Sequence, residues 1–165
     1  MPNASVVLRT AIETDVPAIL KLIQALADYE RLRNECVATE RSLRETLFCA
    51  APWAEVILAE MPDGEVAGFA LFCNNYSTFL AQPGMWLEDL FVYPEFRAHG
   101  IGKQLLAYLA RLAVERDYGR LEWAVLDWNA PAIGFYESLD ARGLREWTTF
   151  RLTGEALNSL AGRAT

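Results

Sequence analysis

Residues 85–103, MWLEDLFVYPEFRAHGIGK, constrain the fold more than any other part of the chain. Trp86, Leu87, Leu90, Phe91 and Val92 crowd the first half and Pro94 ends the apolar run, so it reads as a strand. Arg97-Ala98-His99-Gly100-Ile101-Gly102 then forms a loop. From Gly102 to about Tyr118, Leu105, Leu106, Leu109, Leu112 and Ala113 fall on one helical face, with Gln104, Tyr108, Arg111 and Glu115 on the other. A strand feeding a glycine loop and a helix start suits an anion. The N–H groups of the first turn have no intrahelical partner, and the helix dipole adds to them. Gly100 and Gly102 would let that backbone approach a phosphate closely, although a tight turn that binds nothing needs the same glycines.

Spacing excludes two phosphate motifs. A Walker A loop needs glycine where the chain has Arg97 and Ser or Thr where it has Gln104. A dinucleotide fingerprint needs glycine at Leu105. What remains, R-x-x-G-x-G after a strand, resembles the acyl-CoA pyrophosphate loop of the GNAT N-acetyltransferase superfamily. The runs WLEDLFV (86–92), LDWN (126–129) and Phe135-Tyr136 stand in the order and spacing of the diamine acetyltransferases, the spermidine/spermine and thialysine enzymes. LADYE (26–30) and GFA (68–70) extend the resemblance from about Val7 to the C-terminus.

The resemblance implies direct transfer of acetyl from acetyl-CoA to the primary amine of a small cationic substrate. It assigns acetyl-CoA binding to Leu90, Phe91 and Val92, to Arg97, Ala98, His99, Gly100, Ile101, Gly102 and Lys103, and to Asn129, Pro131 and Tyr136. Glu88 becomes the base, directly or through water, and Tyr136 the group that meets the departing thiolate. Tyr29, Glu30, Glu88 and Asp89 form an acidic slot for the amine. Family members are commonly homodimers, and no feature calls for a metal or a covalent acyl-enzyme. Plainer accounts stand beside these roles. Arg97 would be a solvated loop charge, His99 a bystander, Asn129 a helix cap and Tyr136 an aromatic half in the core. Glu88 and Asp89 would be structural acids.

As strand neighbours, Glu88 and Asp89 are expected on opposite faces, Glu88 with Trp86, Leu90 and Val92, Asp89 with Leu87 and Phe91. Desolvation in so apolar a strand would raise the pKa of both. The matching segment near the C-terminus, Trp147-Thr148-Thr149-Phe150, lacks the acids that polyamine-specific members carry, and Glu146 is displaced. LDWN also looks more like the thialysine enzymes. A short diamine or thialysine is therefore expected to outperform spermine. Two further readings stay open, a protein lysine or N-terminal acetyltransferase and a non-catalytic acyl-CoA-binding module.

At 165 residues and 53% hydrophobic, the chain is expected to form one domain with a real core. Fifteen Lys and Arg against 22 Asp and Glu leave a net charge of −7, which disfavours nucleic acid and can draw in cations or merely aid solubility. Three cysteines without a CxxC and a single histidine argue against zinc or disulfides and for a reducing cytoplasm. With no spanning run of about 20 apolar residues and no leader pattern, no membrane partner is expected.

The remaining pattern predicts strands at 6–9, 53–61, 65–74, 121–126, 143–146 and 148–152. Helices are predicted from Thr14 or Asp15 to about Glu30, from Thr39 to about Cys49, from Asn129 to about Leu139, and at 155–161. Pro62-Asp63-Gly64 closes a hairpin, and 76–84 is a loop. Interleaved strands and helices make the class α/β, a single mixed, mostly antiparallel sheet flanked by helices. The resemblance implies a sheet splayed after the 85–92 strand.

Overall fold

The computed structural model describes residues 6–164. The strands are β1 (Val7–Thr10), β2 (Glu55–Glu60), β3 (Val66–Ser77), β4 (Gln82–Val92) and β5 (Leu121–Trp123). The helices are α1 (Val16–Tyr29), α2 (Glu40–Leu47), α3 (Ile101–Glu115), α4 (Ala130–Glu137) and α5 (Gly154–Ala161). Among the described residues the chain divides after Ala124 into two compact units.

The first unit carries one sheet in the order β1-β2-β3-β4-β5, antiparallel through β4 and parallel between β4 and β5. This is the mixed, mostly antiparallel α/β sheet that the pattern predicts. The apolar stripe of α1 buries Val16, Ile19, Leu22 and Leu26, and α2 adds Leu43 and Leu47. These side chains pack with Val56, Leu58, Phe69 and Phe91 from one sheet face. Burying each such side chain contributes about 1.5–3 kcal/mol. The other face is covered by α3, whose Ile101, Leu105, Leu106, Leu109 and Ala113 are buried. Arg116 closes α3 with paired hydrogen bonds of 2.6 and 2.8 Å to Glu55 at the start of β2. Thr39 caps α2 by accepting from the Ser42 N–H. Asp15 stands at the start of α1 but makes no cap bond. Its carboxylate accepts from Arg9 at 2.7 and 2.9 Å and from the Ile12 N–H at 2.8 Å.

The segment predicted as a loop at 76–84 is instead the turn of a second hairpin, with Ser77 opposite Gln82 and Asn75 opposite Gly84. Pro83 falls near the strand start, where a missing N–H is tolerated. Gly84 is there for close approach, because a Cβ would run into the Asn75 side chain and Arg120. Its glycine signals contact, not a break.

In the second unit Asn129 caps α4, its Oδ1 accepting from the Ala132 N–H at 3.4 Å, with Pro131 in the first turn. α5 forms as a regular helix. The strands predicted at 143–146 and 148–152 do not form. Thr148, Thr149 and Phe150 have β-propensity, but propensity makes no strand without a ladder partner. Phe150 is 91% exposed.

Candidate active site

The loop after β4 has the geometry of a backbone cradle. Ala98 and Gly100 both take left-handed conformations, φ 62° and 79°. Gly100 is the residue before α3 and supplies no side-chain cap. The first intrahelical bond runs from the Gln104 N–H to the Gly100 carbonyl at 3.0 Å. The N–H groups of Ile101, Gly102 and Lys103 precede it and are the orphan donors of the helix start. His99 and Lys103 are exposed beside them. Arg97 donates from Nε to the Val92 carbonyl at 2.9 Å, and its guanidinium lies 4.8 Å from the Tyr29 ring centre and 5.4 Å from that of Phe91.

β4 pairs with β5 only at Met85, Trp86 and Leu87. Beyond Leu87 the edge that faced β5 continues through Leu90, Phe91 and Val92 with no strand beside it among the described residues. β5 ends at Trp123, short of the expected Leu126, so its pairing with β4 stops there.

The register of β3 on β4 shifts at this point. Leu71 pairs with Asp89 and Phe72 with Leu87, so Glu88 is the extra residue of a β-bulge. Phe69 and its partner Phe91 lie in the core with α1, and Leu71 packs on that same core. Asp89, opposite Leu71, therefore faces α1, while Phe72 and Leu87 face α3. Trp86 pairs with Cys73, two residues from Leu71, and Glu88 is two residues on from Trp86. Both carboxylates thus lie on the α1 side. The expectation of opposite faces fails because strand alternation assumes an unbroken ladder, and Asp89 shares its face with Phe91 but not with Leu87.

The desolvation expected of both acids falls on Asp89. Glu88 is exposed and accepts from the Trp86 indole N–H at 2.7 Å. Burial pushes the Asp89 carboxyl up to about 7, with the Glu88 and Glu30 charges adding to the rise. Burial also raises Glu30. Glu30 and Asp89 meet in a cavity of about 440 Å³ between the end of α1, the 31–38 segment and β4. Its wall includes Ile23, Leu26, Glu35 and Cys36. The structure therefore brings two members of the expected acidic slot into one cavity. Glu88 and Tyr29 stand next to them in the chain, outside the lining. Glu35 is an acid that sequence reading missed. It lies in an aperiodic polar stretch, and only its place shortly after the helix end hinted that the chain folds back there.

Of the residues expected in the second unit, Asn129 is the cap of α4, Pro131 is exposed, and Tyr136 is half-buried with its ring 5.4 Å from that of Phe135.

On this frame, a mostly antiparallel sheet with a bulge in β4 followed by a glycine loop that opens a helix, the acetyltransferase (GNAT) family model matches residues 21–141, which makes the chain an acyl-group transferase. The chain belongs to that family and is an N-acetyltransferase. It is 37% identical to a thialysine N-epsilon-acetyltransferase of Sus scrofa over 97% of this chain and 99% of that one. It is 38% identical to an L-ornithine N5-acetyltransferase of Arabidopsis thaliana over 93% of this chain and 86% of that one. Among solved structures, an integron cassette protein of V. cholerae superposes with a TM-score of 0.80 at 29% identity, covering 95% of this chain and 98% of that chain. The family's co-substrate is acetyl-CoA. The uncapped start of α3 presents the free N–H groups that a phosphate anion takes. No helix among the described residues is long and apolar enough to cross a membrane.

Proposed function

We propose that this chain acetylates the primary amine of a small cation, a short diamine or a lysine-like amine such as thialysine, using acetyl-CoA. The observation that carries the reading is the cavity in which Glu30, Glu35 and Asp89 converge one residue from Glu88. A wall with three carboxylates disfavours an anionic or wholly apolar ligand and suits a second ammonium group. The relatives that act on thialysine and ornithine support the same class of substrate.

Acetyl-CoA supplies the activated acetyl group. The N–H groups of Ile101, Gly102 and Lys103 hold its pyrophosphate, and Gly100 lets the backbone approach. The edge of β4 at Leu90, Phe91 and Val92 holds its arm, the role that the family resemblance also gives Asn129 and Pro131. Glu30 and Asp89 bind the far ammonium. Glu88, exposed at the bulge, takes the proton that the reacting amine must lose, directly or through water. Tyr136 hydrogen-bonds the departing thiolate. Full proton transfer from a phenol near pKa 10 to a thiolate near 8.5 is uphill by about 2 kcal/mol, so a hydrogen bond suffices.

Release of free thiol from acetyl-CoA in the presence of small amines tests this. Amine-dependent release supports the reading. Binding of acetyl-CoA without it would identify a non-catalytic module, and acetylation of peptides alone would identify a protein acetyltransferase.

A further inference from the structure

Glu88 has little backbone support. It is the extra residue of the bulge, and it lies beyond the last row in which β4 pairs with β5. Its side chain is exposed. A carboxylate so placed can take several rotamers, whereas a proton acceptor works only when it is held within hydrogen-bond reach of the proton it takes.

Trp86 has the opposite circumstances. It is the middle one of three residues, Met85, Trp86 and Leu87, that pair on both edges of β4, and its own partners are Cys73 on β3 and Glu122 on β5. Trp86 is half-buried. Its indole reaches along the strand, and Nε1–H donates to Glu88 Oε2 at 2.7 Å. Same-face neighbours in a strand stand roughly 6.5 Å apart, so a contact this short requires the two side chains to lean together. The length is at the short end for an N–H on oxygen, in the range of bonds to an ionised acceptor. Burial and the Glu88 charge push the Cys73 thiol up, which places that charge over the Trp86–Cys73 row. An indole N–H donates and never accepts, so it holds Oε2 as an acceptor and leaves an incoming proton to Oε1.

We propose that Trp86 is a positioning residue that fixes Glu88 for proton transfer from the amine. The proposal rests on the reading above, in which Glu88 takes that proton. A doubly paired row of the sheet lends its order to the bulged residue through one hydrogen bond. The proton passes to Oε1, directly or through water, the nitrogen keeps the electron pair of the broken N–H bond, and Oε2 stays on the indole. Trp86 acts through Glu88 and not on the substrate. A ring that only packed would act on stability and would lower the rate whether or not Glu88 could accept a proton.

Steady-state kinetics with thialysine and acetyl-CoA test it. Trp86→Phe keeps an aromatic ring and removes the N–H. Its kcat falls about 10-fold, the scale of one hydrogen bond to a charged group, while the KM for acetyl-CoA stays within about 2-fold. In a Glu88→Gln background the same substitution changes kcat by less than about 2-fold, because the group it positions no longer takes a proton. Trp86→Met fills the space with an apolar chain that has no donor and gives the same loss, which covers a Trp86→Phe protein that melts early. Wild-type kcat in a folded variant of either kind overturns the proposal. So does an equal loss with Glu88 intact and in the Glu88→Gln background, the signature of packing, and so does a raised KM for acetyl-CoA at unchanged kcat. An enzyme whose rate survives Glu88→Gln overturns the proposal and the part given to Glu88 but leaves acetyl transfer standing, whereas a protein that acetylates no amine overturns both.

Discussion

Asp89 is where residue-level physics and the proposed activity meet. Its carboxyl titrates near 7 in the native state, against about 3.9 in an unfolded chain. Between those values the native state holds the extra proton, so this group makes stability fall as pH rises from about 4 to 7. Asp89→Asn removes the penalty. It should raise thermal stability at pH 7.5 by about 1–3 kcal/mol, and the gain should vanish by pH 4, as melting curves across pH would record. The same variant should weaken binding of a diamine, so stability and affinity should move in opposite directions. Two further substitutions separate the chemical roles. Tyr136→Phe should lower kcat by about 10²-fold with smaller changes in either KM. Glu88→Gln should lower activity most at low pH, where the amine is most fully protonated. Wild-type rates in both would remove these residues from the mechanism. The sequence made Glu88 and Asp89 conspicuous, because two adjacent acids in an apolar strand need a reason. Their relation was not legible. It depends on a bulge set by the pairing of β3 with β4, and no residue in either strand announces it. Glu35 was hidden for a related reason, since its place in the cavity comes from how an irregular segment packs.

Among the elements, the β4–loop–α3 unit was readable because each of its parts has a local cause. A dense apolar run makes the strand, two glycines open the loop, and a periodic stripe makes the helix. The start of α3 at Ile101 is one residue from the expectation. The failures lie where local signals meet long-range partners. Pro83-Gly84 reads as punctuation, yet it lies within β4 because Gly84 packs against Asn75 and Arg120. Residues 143–152 read as strands and have no ladder. The loop also carries a prediction. Gly102 lies inside α3, so Gly102→Val keeps a helical backbone but puts a branched side chain beside the orphan N–H groups. The fold should survive, and the Kd for acetyl-CoA should rise about 10-fold or more. Unchanged affinity in calorimetry, in a variant that melts normally, would reduce the loop to a turn.

At the scale of the whole molecule, charge and cavity point the same way. A net −7 favours the approach of cations, and the cavity beside β4 concentrates that preference in Glu30, Glu35 and Asp89. A cavity of about 440 Å³ has room for a small amine, so the preference it offers comes from its carboxylates and not from its size. A long polyamine would need an anchor further out. The segment that the family resemblance matches to the polyamine enzymes' acids, Trp147-Thr148-Thr149-Phe150, contains none. The most direct test is therefore kcat/KM measured side by side for thialysine, putrescine, spermidine, spermine and a lysine peptide with acetyl-CoA. Thialysine or putrescine should exceed spermine by about 10-fold or more, the scale of one lost polar anchor. A preference for spermine or for the peptide would contradict the account of the slot, and turnover of none of them would contradict the proposed function itself.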